Sequence, residues 1–218
     1  MARGRLRIVP LGGLGEIGRN MLVVEYGDSI IVVDAGLMFP DNDMLGIDIV
    51  IPDLSYVAER SDQVKAVIIA HGHEDHIGAL PYLLRKVRAP VYATRLTCGL
   101  IEAKLRDAKI RGVDVRTIAA TDVLSLDPFR IEFFRVSHSI PDGVGLGIST
   151  PVGLVVHSGD FKFDYSPVDG HRTDFAKLVE LGGRGVLLLL SDKVNAASRG
   201  YTPSEQVIGE TLSHAFAV

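Results

Sequence analysis

Residues 71 to 76 read HGHEDH and hold three of the chain's seven histidines, with two acids among them. Neutral imidazole nitrogens bind borderline divalent cations at about 2.0–2.1 Å, and carboxylate oxygens bind at similar range. At this spacing His71 and His73 converge on one ion while Asp75 and His76 face a second, so one short loop seeds two metal sites. A chance cluster in a polar loop is the plain alternative. Against it, the stretch directly follows VKAVIIA (64–70), which reads as a buried strand. Further ligands must come from elsewhere in the chain. His138 in RVSHSIPDG and Asp160 in VVHSGDFKFD both lie just past apolar runs, where a sheet presents side chains at a shared edge, and they are the favoured candidates. His157, His171 and His214 read as structural or surface residues, and Asp142 in PDG as a turn residue.

A second motif has the right letters in the wrong setting. GLGEIG (13–18) fits G-x-G-x-x-G, with Asp34 about twenty residues on, as a dinucleotide fingerprint asks. That motif needs a helix after the glycines, to aim its positive end at a pyrophosphate. Here NMLVVEYGDSIIVVDAG continues as a hairpin with no helical period. The glycines therefore read as a tight turn, and Asp34 as a loop residue near the site that supports the ligands.

The elements that must position these residues follow from periodicity. LRIVPL (6–11), MLVVEY (21–26) and IIVVDA (30–35) read as strands, with Gly27-Asp28 as a two-residue hairpin turn, so the first third predicts antiparallel sheet. After the histidine loop, Ile77, Leu80, Leu84 and Val87 recur at helical spacing, with Pro81 near the helix start. A second helix is expected over 95–109 and a third near 174–181. Strands are expected at 129–137, 145–150, 153–159 and 185–191. Thr202, Pro203 and Glu205 read as a capping box opening a last helix. That helix has no stop signal before Val218, which predicts a chain cut inside a larger protein.

Composition sets outer bounds. The chain has 218 residues, 47% apolar and 23% charged, ordinary for a globular protein. A formal net charge of −4 gives no overall basic signal, so nucleic-acid binding would need a local site. Cys98, the single cysteine, excludes an intramolecular disulfide and reads as a buried helical residue. No run approaches the 18 or so apolar residues of a membrane span, and a cytoplasmic protein is expected.

The blocks PLGGLGEIGRN, VDAGLMFPDNDMLGIDIVIPD, HGHEDHIGALPYLL, HSIPD, SGDFKFD and SDKVNAASRGYTPSE run in order along the whole chain. Together they make the sequence resemble the metallo-β-lactamase superfamily and, within it, the ribonuclease J family. The resemblance implies an α/β fold, an αββα sandwich over residues 1–190 that is incomplete here, and the start of a β-CASP domain over 191–218. It implies that His71, His73 and His138 bind one zinc, that Asp75 and His76 bind the other, and that Asp160 bridges them, with manganese or magnesium as alternatives. Asp75, His76 and Asp160 would carry the catalysis. The implied activity is 5′-3′ exonucleolytic and endonucleolytic cleavage of RNA during its maturation and decay in the cytoplasm, by a homodimer or homotetramer.

Two departures qualify this. Where the family shows Asp-Ser-Thr-Asn the chain has Asp192, Lys193, Val194 and Asn195, which removes two hydroxyl donors and offers the Lys193 charge to phosphate instead. The family also takes a further histidine ligand and its phosphate grip from later sequence, so this chain alone is expected to bind its second metal weakly and to cleave little RNA. Other readings are a hydrolase of the same fold acting on a thioester or lactam, and a metal-stabilised interaction module without catalysis. The GIDIVIPD and GYTPSE blocks speak against the thioester or lactam reading.

Overall fold

The computed structural model of the chain describes residues 4–192 and 198–217. Two sheets stack face to face. The first contains β1 (Leu6–Gly12), β2 (Met21–Tyr26), β3 (Ser29–Val33), β4 (Val64–Ile68), β5 (Val91–Ala93) and β6 (Val115–Thr117), in that order. Its first three strands are antiparallel, as the hairpin signal predicts, but β3 to β6 run parallel through crossovers. The antiparallel expectation, made for the first three strands, holds. The second sheet has the order β11 (Val186–Leu190), β10 (Gly153–His157), β9 (Gly143–Thr150), β8 (Phe129–Val136) and β7 (Val123–Leu126). It is antiparallel except where β10 meets β11.

Alternation along the strands builds the layers, because successive side chains of a strand point to opposite faces. Leu22, Val24, Ile31 and Val33 face Phe129, Ile131, Phe133, Leu146 and Ile148 across the sheets and form the central core. The intervening Met21, Val23, Ile30 and Val32 face outward. They pack under α1 (Ser55–Ala58), α2 (Glu74–Ile77), α3 (Leu80–Leu84) and α4 (Arg95–Asp107). On the far side, α5 (Phe175–Gly183) seats Leu181 among Phe134, Val136, Leu154 and Val156. The result is helix, sheet, sheet, helix. The outer face of β9 is lined by glycine where the Phe134 ring crosses it: a Cβ on Gly145 would lie 2.2 Å from that ring.

Three local expectations need correction. The helix foreseen from Ile77 to Val87 is two short helices, α2 and α3, separated at Gly78 and Ala79. The ladder breaks because the Ala79 N–H donates to the Ala35 carbonyl, while the carbonyls of Asp75 and His76 accept from the backbone N–H groups of Asn20 and Ala35. The last helix, α6 (Gln206–Phe216), begins at Gln206 with Glu205 at its cap and no side-chain capping bond. Thr202 therefore opens no helix, and Glu205 instead reaches Lys162 at 2.5 Å. The short strands β5, β6 and β7 went unpredicted, since three or four residues carry too little period to register.

Candidate metal centre

The candidate ligands, with Asp34 and Asp192 beside them, leave the ends of strands at one common rim. Asp34 follows β3, the 71–76 loop follows β4, His138 follows β8, Asp160 follows β10 and Asp192 follows β11. The two sheets are joined there by the Val144 N–H, which donates to the Ala70 carbonyl at 3.0 Å. All six side chains expected to bind metal meet at this rim. Potential ligand atoms of His71, His73 and His138 lie within 4.8 Å of one another, as do those of His71, Asp75 and His76. Asp160 sits among them, its carboxylate 3.1 Å from His76 Nε2, 3.4 Å from His138 Nε2 and 4.0 Å from His71 Nε2.

This donor set fits a cation. Asp160 Oδ1 is buried, and His76 Nε2 lies 3.1 Å from it. A buried carboxylate is costly unless positive charge meets it, either a protonated His76 or a cation that displaces that proton. The surrounding charges point the same way. Burial, reinforced by His76, pushes His71 down to about 2, so its lone pair is free at neutral pH. Burial also lowers His138. Burial would raise the Asp160 carboxyl, but His76, His71 and His138 together hold it well below the usual range.

The support around these residues is as specific as the ligands. Asp34 is buried in a left-handed conformation with φ 62°. Its Oδ1 accepts from the Ala70 N–H at 2.8 Å and its Oδ2 lies 2.8 Å from His76 Nδ1. That bond fixes the ring so that Nε2 faces the site. Burial disfavours a charge on His76, yet Asp34 and Asp160 raise it well above its ordinary value, so a cation entering here displaces a proton. Gly36 cannot carry a side chain, since a Cβ would lie 1.5 Å from the Asp75 carbonyl oxygen.

Sequence reasoning missed two residues. Asn20 donates from Nδ2 to Asp75 Oδ2 at 3.4 Å and lies 3.1 Å from His76 Nε2, but a lone asparagine has no ligand spacing to reveal it. Asp192 was legible only as the start of a new segment. Its backbone N–H donates to Ser158 Oγ, and burial together with Asp160 raises its carboxyl to about 6. The GLGEIG turn, with Asn20, Asp75, Asp160, Ser191 and Asp192, lines an open groove of about 470 Å³. No helix follows these glycines, as expected of a turn. His157 lies partly buried behind the site, whereas His171 and His214 are exposed. Asp142, in its turn, accepts the Leu96 N–H at the start of α4. Lys193, Val194 and Asn195 lie outside the described residues.

Comparison with known proteins places these features. Residues 14–186 match the family model described as the metallo-beta-lactamase superfamily. The chain is 48% identical over 96% of its length to "Ribonuclease J2" of Bacillus subtilis, of which it covers 38%. It is 44% identical over 95% of its length to "Ribonuclease J" of Thermus thermophilus, again covering 38% of that protein. The chain thus spans well under half the length of these curated relatives. Among solved structures, "Rm3 metallo-beta-lactamase" superposes with a TM-score of 0.52 at 16% identity, covering 90% of this chain and 81% of that one, which shows a shared fold.

Proposed function

The chain belongs to the metallo-beta-lactamase superfamily, and we propose that it forms part of a zinc-dependent ribonuclease of the J type, cutting RNA phosphodiesters in cytoplasmic RNA maturation and decay. Its chemistry rests on one observation, the buried Asp160 carboxylate set among three histidines, with Oδ1 beside His76 and Oδ2 beside His138 and His71. Its substrate rests on the ribonuclease names of relatives 44–48% identical to it.

In this reading His71, His73 and His138 would hold one ion, Asp75 and His76 would hold a second, and Asp160 would contribute its carboxylate to the same centre. Zinc suits the imidazole-rich first site, with manganese or magnesium as alternatives. When bound, such ions activate a water for attack and neutralise charge developing on the phosphoryl oxygens. The chain's own groups do the rest. Asp34 holds His76 in the tautomer that turns Nε2 inward. Asp75 has a side chain about one-third exposed where it lines the groove, and it would orient a water there and accept its proton. Residues 191–218 open a β-CASP-type second domain, with Lys193 offering its charge to an RNA phosphate. No helix among the described residues is long and apolar enough to cross a membrane. The assembly proposed for the complete enzyme is a homodimer or homotetramer.

The test is metal content and cleavage together. Elemental analysis of the 218-residue chain should find the first site filled and the second partly filled, and Asp160→Ala should lose most of both. On a 5′-monophosphorylated RNA with zinc or manganese the chain alone should turn over slowly, and Asp75→Ala should abolish that turnover. Rapid hydrolysis of a thioester or lactam, with RNA untouched, would overturn the reading.

A further inference from the structure

At the end of the first sheet opposite the candidate metal centre lies a concentration of positive charge that the site does not use. Residues 85–111 hold eight lysines and arginines against two acids, Glu102 and Asp107, a net of +6 in a chain whose total is −4. Seven of these cations are exposed, and six of the seven, Arg85, Lys86, Arg88, Arg106, Lys109 and Arg111, lie at this end of the sheet, Arg95 lying at the start of α4. Among the described residues none of the six pairs with a carboxylate; the ion pairs of this region are Lys104 with Glu74 and Arg116 with Asp114. Arg85 donates only to the Ala108 carbonyl at 3.4 Å, and its guanidinium lies 5.8 Å from the ring of exposed Tyr82.

Topology puts these residues together. Arg85 to Arg88 precede β5, and Arg106 to Arg111 precede β6, so both groups lie where the parallel strands begin. They border two depressions of about 600 and about 620 Å³ that share Ile110, Arg111, Gly112 and Val113, making one continuous track. The 71–76 loop leaves the other end of β4, roughly 20 Å away at ~3.3 Å per strand residue. Helix dipoles account for Arg85 and Arg106, which lie at the C-terminal ends of α3 and α4. They do not account for Arg88 and Arg111, which lie in loops. Unpaired like charges repel one another and weaken the fold unless an anion covers them. Spaced arginine forks beside an exposed aromatic ring suit a phosphate backbone whose bases are free to stack.

We propose that this track is a second RNA-binding surface, gripping the phosphates of a single strand remote from the metal centre. The inference rests on the ribonuclease reading and adds to it where the distal part of the substrate lies. The test is binding of a single-stranded RNA oligonucleotide to the 218-residue chain without metal, followed by fluorescence anisotropy across a salt series. Arg85→Gln, Lys86→Gln and Arg88→Gln combined should weaken binding at least tenfold at low salt. The same triple variant should make the slope of log K against log salt shallower by about 2, given roughly 0.7 per phosphate contact on a single strand. Replacing Arg85, Arg88 and Arg111 together by lysine should retain most of the binding, which separates charge from folding. Unchanged affinity and slope in the glutamine variant would overturn this inference and leave the ribonuclease reading standing. Failure of the unaltered chain to bind RNA would likewise overturn this inference alone, because the ribonuclease reading takes its phosphate grip from later sequence. Loss of binding to phosphatidylserine vesicles, with RNA binding unaltered, would reassign the surface to a membrane and overturn the proposal.

Discussion

Asp34 shows how a residue outside the proposed ligand set can govern it. Its two oxygens tie the Ala70 N–H to the His76 ring, so one carboxylate fixes both the strand end and the imidazole that leaves it. Asp34→Ala should lower metal affinity by about 10–100-fold, the usual loss when a supporting partner of a ligating histidine is removed, with the fold intact by circular dichroism. Competition against a chromogenic chelator measures this, and unchanged affinity would show that packing alone orients His76. Asn20 acts on the same pair from the groove side. Asn20→Ala should weaken metal binding less than Asp34→Ala does, because its contact with Asp75 is long and partly solvated.

Among the elements, α5 is held to the second sheet by charge as much as by Leu181. Glu132 on β8 is 4% exposed yet meets Lys177 at 3.0 Å and Arg184 at 2.6 Å from α5, and Arg130 at 2.6 Å from its own strand. Burial alone would raise its carboxyl, but Arg184 and Lys177, helped by Arg130, bring it down to about 2. A depressed carboxylate stabilises the fold above its unfolded value and loses that contribution as pH falls through its folded value. The glutamate should therefore add stability that is complete above about pH 4.5 and drains away toward about pH 2. Urea midpoints of Glu132→Gln and the unaltered chain should differ most at neutral pH and converge in that acid window; a constant difference would refute the ion-pair account. Between the sheets, Phe133→Ala should cost about 3–5 kcal/mol, since a fully buried ring leaves a cavity that stacked sheets cannot close.

At the scale of the whole molecule the second sheet ends on an apolar edge. β11 pairs on one side with β10, and among the described residues nothing pairs with its other side. Its Leu187 and Leu189 are 59% and 61% exposed. An open strand edge carrying leucines invites association. The 218-residue chain should therefore self-associate as concentration rises, and Leu187→Lys with Leu189→Lys should suppress this in sedimentation velocity without altering metal content. What the sequence determined by itself was chemistry set by short-range spacing: the HGHEDH loop, the strands that present it, and the family blocks that match relatives named ribonuclease J over 95% or more of the chain. His138 and Asp160 were legible too, because each directly follows an apolar strand. The parallel half of the first sheet, the break between α2 and α3, the Asn20 contact and the basic track were decided only in three dimensions. Each depends on residues dozens of positions apart, and the period of a single element carries no information about which backbone carbonyl or charged loop will arrive beside it.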